Sequence, residues 1–397
     1  MKASWSIGVA LLTWTQVAGA QSAPPTRTVD IQLTNRVLYD SNLLRRPSGQ
    51  GEIEGFERDD FRITPGLSVD ILLPISRQSV FLTGTVGYDF YARNTQLNRE
   101  RMALVGGANL SAGGGCSSQI TGSYSRAQSD LADLFVVGDL KNTEERRGIG
   151  ARLTCGGAIG LTPGLGFRHE TVKNSDVSRQ RSDYTTNSYE ADIGYSRPTF
   201  GRLAVFGRYT DSSYPNRAFL GIEDGVETYS TGVSFQREIG SRLRGSISGG
   251  YTWVKPKLPG TPEFSGVSYS ADIIYIPSER LQLAIGFSRE AQLSNLLDIS
   301  YSITESYHFD GTYAFGSDLE LSFGTSYSTR DFELSPAFPP LVPQTGDKTY
   351  LTHVGLSRQW NDRLSSALDV SQERRDSNNP FLDYKSTRVG LTLSLAL

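Results

Sequence analysis

The sequence predicts an all-β protein, a transmembrane antiparallel up-and-down β-barrel of about 18 strands, and three observations lead there. Apolar residues recur at every second position in one segment after another. Tight turns repeat roughly every 38 to 45 residues, the length of one hairpin plus one long loop. The composition, with 41 Gly, 19 Tyr and 18 Phe beside 2 Met, favours strands, turns and aromatic girdles over packed helices.

Taken in chain order, residues 1–20 read as a secretory signal. Lys2 supplies the positive start, Ser4 to Trp14 a short apolar stretch, and Ala18-Gly19-Ala20 a small-residue cleavage site. The apolar run is shorter than the roughly 20 residues that a membrane helix needs. Residues 21–397 show no linker or shift of composition and are expected to form one barrel domain. Upward strands are expected near 29–39, 80–92, 117–127, 161–169, 202–210, 242–253, 280–289, 318–328 and 363–371. Their downward partners fall near 60–72, 101–112, 146–155, 184–196, 228–238, 265–276, 298–315, 348–358 and 385–397. That makes eighteen, with 16 as the alternative if weak strands are split wrongly; an even count leaves both termini on the periplasmic side. Turns such as Gly240-Ser241-Arg242-Leu243 and Asn361-Asp362-Arg363-Leu364 mark that side. Long polar connections at 40–59, 128–145, 170–183, 211–227 and 329–347 are expected to be extracellular.

Composition also sets exclusions. A formal net charge of -3 offers no basic surface for nucleic acid. The mean hydropathy of -0.32 suits a soluble chain, and equally a barrel wetted on one side and lipid-covered on the other.

If the apolar phase faces lipid, the other phase lines the interior. It holds Arg36, Arg62, Asp70, Asp89, Arg101, Arg152, Arg168, Glu190, Asp192, Arg208, Arg244, Asp272, Asp310, Glu320, Asp369 and Arg388. On the lipid side an Arg would cost roughly 2 to 4 kcal/mol at the midplane. Of the 39 basic residues 32 are Arg, whose fork suits carboxylates, phosphates of lipopolysaccharide and acidic sugars. Ion pairs within the wall and a charged screen for solutes are the two readings of this set. Aromatic residues, including Tyr39, Tyr88, Phe90, Tyr209, Tyr229, Tyr251, Trp253, Tyr275, Tyr327 and Tyr350, fall where strands should meet the interfaces. Cys116 starts one strand and Cys155 ends its hairpin partner, so antiparallel pairing would set them opposite one another, as a disulfide or as two free thiols.

Nothing in the chain reads as catalytic machinery, a metal site or a cofactor site. His169, His308 and His353 fall on strands expected to be far apart, and His169-Glu170 is the best of the acid–base candidates. There is no P-loop, no Rossmann glycine pattern and no CxxC. The acidic turns Tyr39-Asp40-Ser41-Asn42, Tyr209-Thr210-Asp211-Ser212-Ser213 and Arg375-Asp376-Ser377-Asn378-Asn379-Pro380 read as loop starts in which Asp and Asn cap their own backbone.

The last strand alternates Val389, Leu391, Leu393, Leu395 and Leu397 with polar or small residues, and resembles the assembly signal of outer-membrane barrels, with Leu397 where an aromatic is usual. With the opening strand Val37-Leu38-Tyr39-Asp40-Ser41-Asn42-Leu43-Leu44-Arg45, the Pro65-Gly66-Leu67 that follows and the hairpin repeat, the chain resembles the putative beta-barrel porin 2 family. The resemblance implies an outer-membrane channel for small polar solutes or exported exopolysaccharide. The partners it implies are the outer membrane and its lipopolysaccharide, the barrel-assembly machinery acting on the C-terminal strand, and polysaccharide-export components. A structural or adhesin-like barrel whose loops bind partners is the second reading, and a lipid-modifying enzyme the third.

Overall fold

The computed structural model describes residues 26–47, 49, 54–129, 141–219, 221–294, 296, 299–335 and 344–397. The expected signal, Met1 to Ala20, lies outside the described residues, as do the centres of the connections at 128–145 and 329–347. The alternating segments form strands β1 (Thr28–Asp40), β2 (Asp60–Ile75), β3 (Gln78–Tyr91), β4 (Arg99–Ala112), β5 (Cys116–Gln128), β6 (Thr143–Cys155), β7 (Gly160–Asn174), β8 (Tyr184–Arg197) and β9 (Gly201–Phe219). They continue as β10 (Ile222–Ile239), β11 (Leu243–Pro256), β12 (Phe264–Ser278), β13 (Leu281–Leu293), β14 (Ile299–Ala314), β15 (Leu319–Leu334), β16 (Gly346–Gln359), β17 (Leu364–Ser377) and β18 (Tyr384–Ala396).

Each strand pairs antiparallel with the next, and β1 pairs with β18, closing an 18-stranded sheet. Closure leaves no edge of unpaired backbone, the condition for a sheet to lie in hydrocarbon. At the seam Val37 stands in register with Leu391, both exposed on the outer surface, and the Leu397 amide donates to the Ile31 carbonyl (2.9 Å). The outward parity is apolar in strand after strand, as in Val29, Leu33 and Val37 of β1 and Leu161, Leu165 and Phe167 of β7. Register carries that parity around the ring, since directly paired residues share a face.

Two aromatic belts bound this surface. Tyr189, Tyr209, Tyr229 and Trp253 stand in register across β8–β11, and Phe287, Tyr307, Tyr327 and Tyr350 across β13–β16. The Tyr209–Tyr229 and Tyr327–Tyr350 ring centroids are each 4.9 Å apart. Toward the other end lie Phe200 against Phe235 (5.2 Å), Tyr313 against Phe315 (4.9 Å), and Trp360. Phe200 precedes Tyr209 by nine residues. At about 3.3 Å per residue and a tilt of about 45°, that spacing spans roughly 21 Å, close to an apolar band of about 25 Å.

Connections at the periplasmic end are tight. Gly114 and Gly115 of the β4–β5 turn sit at φ +75° and +76°, where a side chain would be strained. The expected strands all form, but most run further than expected at their outer ends, because above the lipid a ladder can continue with polar residues on both faces. Two loop expectations are corrected on that account. The region 211–227 is mostly a continuation of β9 and β10, paired from Asp211↔Glu227 to Asp224↔Tyr214 with a bulge at Glu223/Asp224. The run Tyr209 to Ser213 is therefore strand, and Asp211 pairs with Lys257 (2.6 Å) rather than starting a turn. In 170–183, β7 extends to Asn174 and a 3-10 turn covers Val177–Ser182, capped by the Asp176 side chain.

Among the described residues the barrel has no central core. Small apolar clusters lie at its outer end, among them Val226 with Val254, Tyr301 and Ile303, and Val172 with Tyr184 and Tyr214.

Candidate functional site

The site follows from parity. Register places on the inward face Arg36 (β1), Arg62 and Asp70 (β2), Asp89 (β3), Arg101 (β4), Arg152 (β6), Arg168 (β7), Glu190 and Asp192 (β8) and Arg208 (β9). The same face carries Arg244 (β11), Asp272 (β12), Asp310 (β14), Glu320 (β15), Asp369 (β17) and Arg388 (β18).

Several of these meet across an intervening strand, over a glycine. Arg36 reaches Asp369 (2.8 Å) from β1 to β17, passing over Gly390 of β18, where a Cβ would lie 2.6 Å from the carboxylate. Arg152 on β6 reaches Glu190 (2.7 Å) and Asp192 on β8 over Gly166 and Gly164 of β7. Asp192 also binds Arg202, and Glu190 binds Arg208 (2.5 Å). Asp89 lies between Arg62 (3.6 Å) and Arg101 (3.9 Å), and accepts from the Thr64 hydroxyl (2.6 Å). Arg388 pairs with Glu373 and with Asp40 (3.5 Å).

The opposite wall differs. In a ring of eighteen, β4 faces β13 and β6 faces β15. On that far side no arginine among the described residues pairs with Asp272 or Asp310; the imidazoles of His308 (3.9 Å) and His353 (3.7 Å) lie beside them, reached over Gly286 and Gly324. All four of these side chains are between 38% and 48% exposed to the lumen. Glu320 sits lower on the same wall, opposite Ala314 and Ser357. The lumen thus has an arginine-rich, internally neutralised wall facing one with open carboxylates, and a charge crossing it meets a transverse field.

The histidines bring a correction. His308 and His353 are not far apart, since β14 and β16 flank the same strand, β15. His169 stands alone on the outward face, bonded to Asn187 (2.8 Å) and Thr171 (3.2 Å), while Glu170 turns inward to Arg146 (2.7 Å), so the two do not form a dyad. Among the described residues no group of three or more His, Cys, Asp or Glu could hold a metal ion. Cys116 and Cys155 are directly opposed on β5 and β6 and joined as a disulfide, on the outward parity at the periplasmic end.

Functional residues that sequence reasoning passed over include Arg202, Glu373, and the cluster of Arg375, Asp347 and Arg330 (2.5 and 2.7 Å) inside β15–β17. All share parity with named lumen residues; Arg202 already falls within the expected strand 202–210, and extending the other strands by two turns of the alternation would have reached the rest. The Asp40 turn does cap itself, accepting from the Asn42 amide (3.0 Å), and its carboxylate also holds Arg45 (3.0 Å).

Residues 168–397 match the family described as putative beta-barrel porin 2. No curated protein matches the sequence. Among solved structures, Pseudomonas aeruginosa OccK2 (OpdF) in complex with glucuronate is 13% identical, covering 93% of this chain and 98% of that one with a TM-score of 0.48. A BenF-like porin from Pseudomonas fluorescens Pf-5 is 13% identical, with coverage of 93% and 99% and a TM-score of 0.46. The outer membrane protein opdK from Pseudomonas aeruginosa is 14% identical, with coverage of 93% and 99% and a TM-score of 0.47.

Proposed function

This chain belongs to the putative beta-barrel porin 2 family and is a porin-like outer-membrane β-barrel channel, and we propose that its cargo is small polar solutes moving passively down their gradients. The observation that carries the cargo is the lumen itself: Asp272, Asp310 and Glu320 on one wall, unpaired with arginine, facing the ion-paired Arg36, Arg62, Arg101 and Arg152 on the other. Water-filled and charged on both sides, such a path favours solutes that hydrogen-bond and discriminates among them by charge. The purified full-length chain in a planar lipid bilayer should give discrete conductance steps in KCl; a folded barrel that passes no ions would overturn the reading in favour of a structural or adhesin-like one. Exopolysaccharide is the bulkier cargo, and a liposome-entry assay with oligosaccharides of graded length separates it from small solutes.

Export through the Met1–Ala20 signal and insertion by way of β18 belong to the same proposal. It is supported by the Ala18-Gly19-Ala20 cleavage pattern and the alternating Val389 to Leu397. Lipopolysaccharide contact is supported by Arg126 and Arg147 on the outward parity of β5 and β6, where they share Glu100 and Glu145 as ion-pair partners. Catalysis on lipid is the least supported reading, because the outward His169 has no acid beside it; lipid A of unchanged acylation in cells that make the protein would agree.

A further inference from the structure

Pairs that reach across an intervening strand over a glycine recur in the lumen, and they differ in the base. In Arg36–Gly390–Asp369 (β1, β18, β17) and Arg152–Gly166–Glu190 (β6, β7, β8) it is an arginine, which stays charged at any pH a cell meets, and the contacts close to 2.8 and 2.7 Å. In Asp272–Gly286–His308 (β12, β13, β14) and Asp310–Gly324–His353 (β14, β15, β16) it is a histidine. Here Nε2 stands 3.9 and 3.7 Å from the carboxylate, beyond the roughly 2.7 to 2.9 Å of a charge-assisted hydrogen bond. The glycines let the imidazoles lie down towards the acids. A Cβ at Gly286 would run into the His308 ring, and one at Gly324 into both His353 and Asp310.

The strands packed about these two sites bring few other charges to them. Beside His308, β13 offers Gly286 and Ser288 and β15 offers Ser326, while Asp310 follows two residues along β14. Beside Asp272, β11 offers Ser246, and further down Arg244 stands opposite Glu238 of β10. His353 has Gly324 on β15 and Ser371 on β17 as its direct neighbours. The charges near it are already taken, Asp369 by Arg36 and Glu373 by Arg388, the β18 residue opposite Ser371. Four residues along the strands stand Glu290 of β13, bonded to Gln292 (2.8 Å), and on β15 Glu320 and Arg330, the latter paired with Asp347 (2.7 Å). Two carboxylates and two imidazoles therefore set the local charge of this wall. With neutral imidazoles, Asp272 and Asp310 present two negative charges to the lumen. A proton on each imidazole cancels them and supplies the donor that closes each pair, as arginine closes the others. Imidazole is the side-chain type that gains and loses charge between about pH 5 and 8.

We propose that His308 and His353 set the charge preference of the channel: unprotonated, they leave the acidic wall open to cations, and protonated they cancel it, so that acid turns the preference towards anions. This rests on the channel reading, and the test separates the two. Wild type, His308→Gln with His353→Gln, and His308→Arg with His353→Arg are compared in planar bilayers of phosphatidylcholine. The zero-current potential in a KCl gradient is read at about pH 8 and about pH 5. In wild type the permeability ratio of potassium to chloride should fall on the order of threefold in acid. The glutamine variant should keep the high ratio at both values. The arginine variant should keep the low one, because its bases are charged throughout. If a double variant does not fold, each single His→Gln variant should lose about half of the shift. A wild-type ratio that ignores pH, or a glutamine or arginine variant that shifts as much as wild type, overturns the assignment and leaves the channel standing. A folded wild type that is silent at both values overturns both.

Discussion

Arg152 and Asp310 both face the lumen, yet removing them should have opposite kinds of effect. Arg152 and Asp192 have side chains only 8% and 3% exposed, so Arg152→Gln leaves a buried carboxylate with Arg202 alone as its cation and should cost about 1 to 3 kcal/mol. A lower urea midpoint of the refolded barrel measures it. Asp310 and Asp272 are nearly half exposed, and Asp272→Asn with Asp310→Asn should move stability by less than about 1 kcal/mol. The double variant should instead shift the zero-current potential in a KCl gradient toward anions, and an unmoved potential would remove the acidic wall from the conduction path. Parity in the sequence separates Arg36 from Val37 and Asp192 from Ile193. What it does not carry is the partner, because Arg36 finds Asp369, 333 residues away, only once the ring has closed. For the same reason His308 and His353 look isolated along the chain, and only the register sets Asp272 and Asp310 beside them.

At the scale of strands, alternation and turn chemistry locate all eighteen segments, because each must hide one face in lipid and reverse direction within a few residues. The outer ends are harder to read. Above the tyrosine belt no lipid enforces alternation, so Asp211 to Ser213 and Asp224 to Glu227 have the composition of a loop and the hydrogen bonding of a ladder. The packing at the outer end of β13–β14 is equally silent, since Leu293, Tyr301 and Ile303 continue the lipid-facing parity while packing against Val226 and Val254 of the inward parity. The β5–β6 hairpin offers a test of what an element gains from a cross-link. Its disulfide spans 39 residues, and in the chain-entropy account such a loop is worth up to about 4 kcal/mol. Cys116→Ser with Cys155→Ser should therefore unfold at lower urea. Since both cysteines lie on the outward parity at the periplasmic end, conductance should not change, and a changed single-channel current would show that the bond shapes the pore as well.

For the molecule as a whole, everything depends on the ring separating two solvents. Val233 and Ser234 are neighbours on β10, at one depth between Tyr229 and Phe235, and register assigns them to opposite faces: Val233 pairs with Val205 on the outer surface, and Ser234 with Ala204 and Ser248 inside. Val233→Arg puts a guanidinium into hydrocarbon, where the cost is about 2 to 4 kcal/mol near the midplane. Ser234→Arg places the same group in a wet lumen, where it can stay hydrated or find a carboxylate. The first variant should lose stability in lipid vesicles and fold in lower yield, judged by the fraction whose gel mobility changes on boiling. The second should fold like wild type and alter only the current. A soluble sandwich would reverse or erase this contrast, because its buried face would reject the charge and its outer face would accept it; equal tolerance at both positions would mean that the surface between the aromatic belts does not meet lipid.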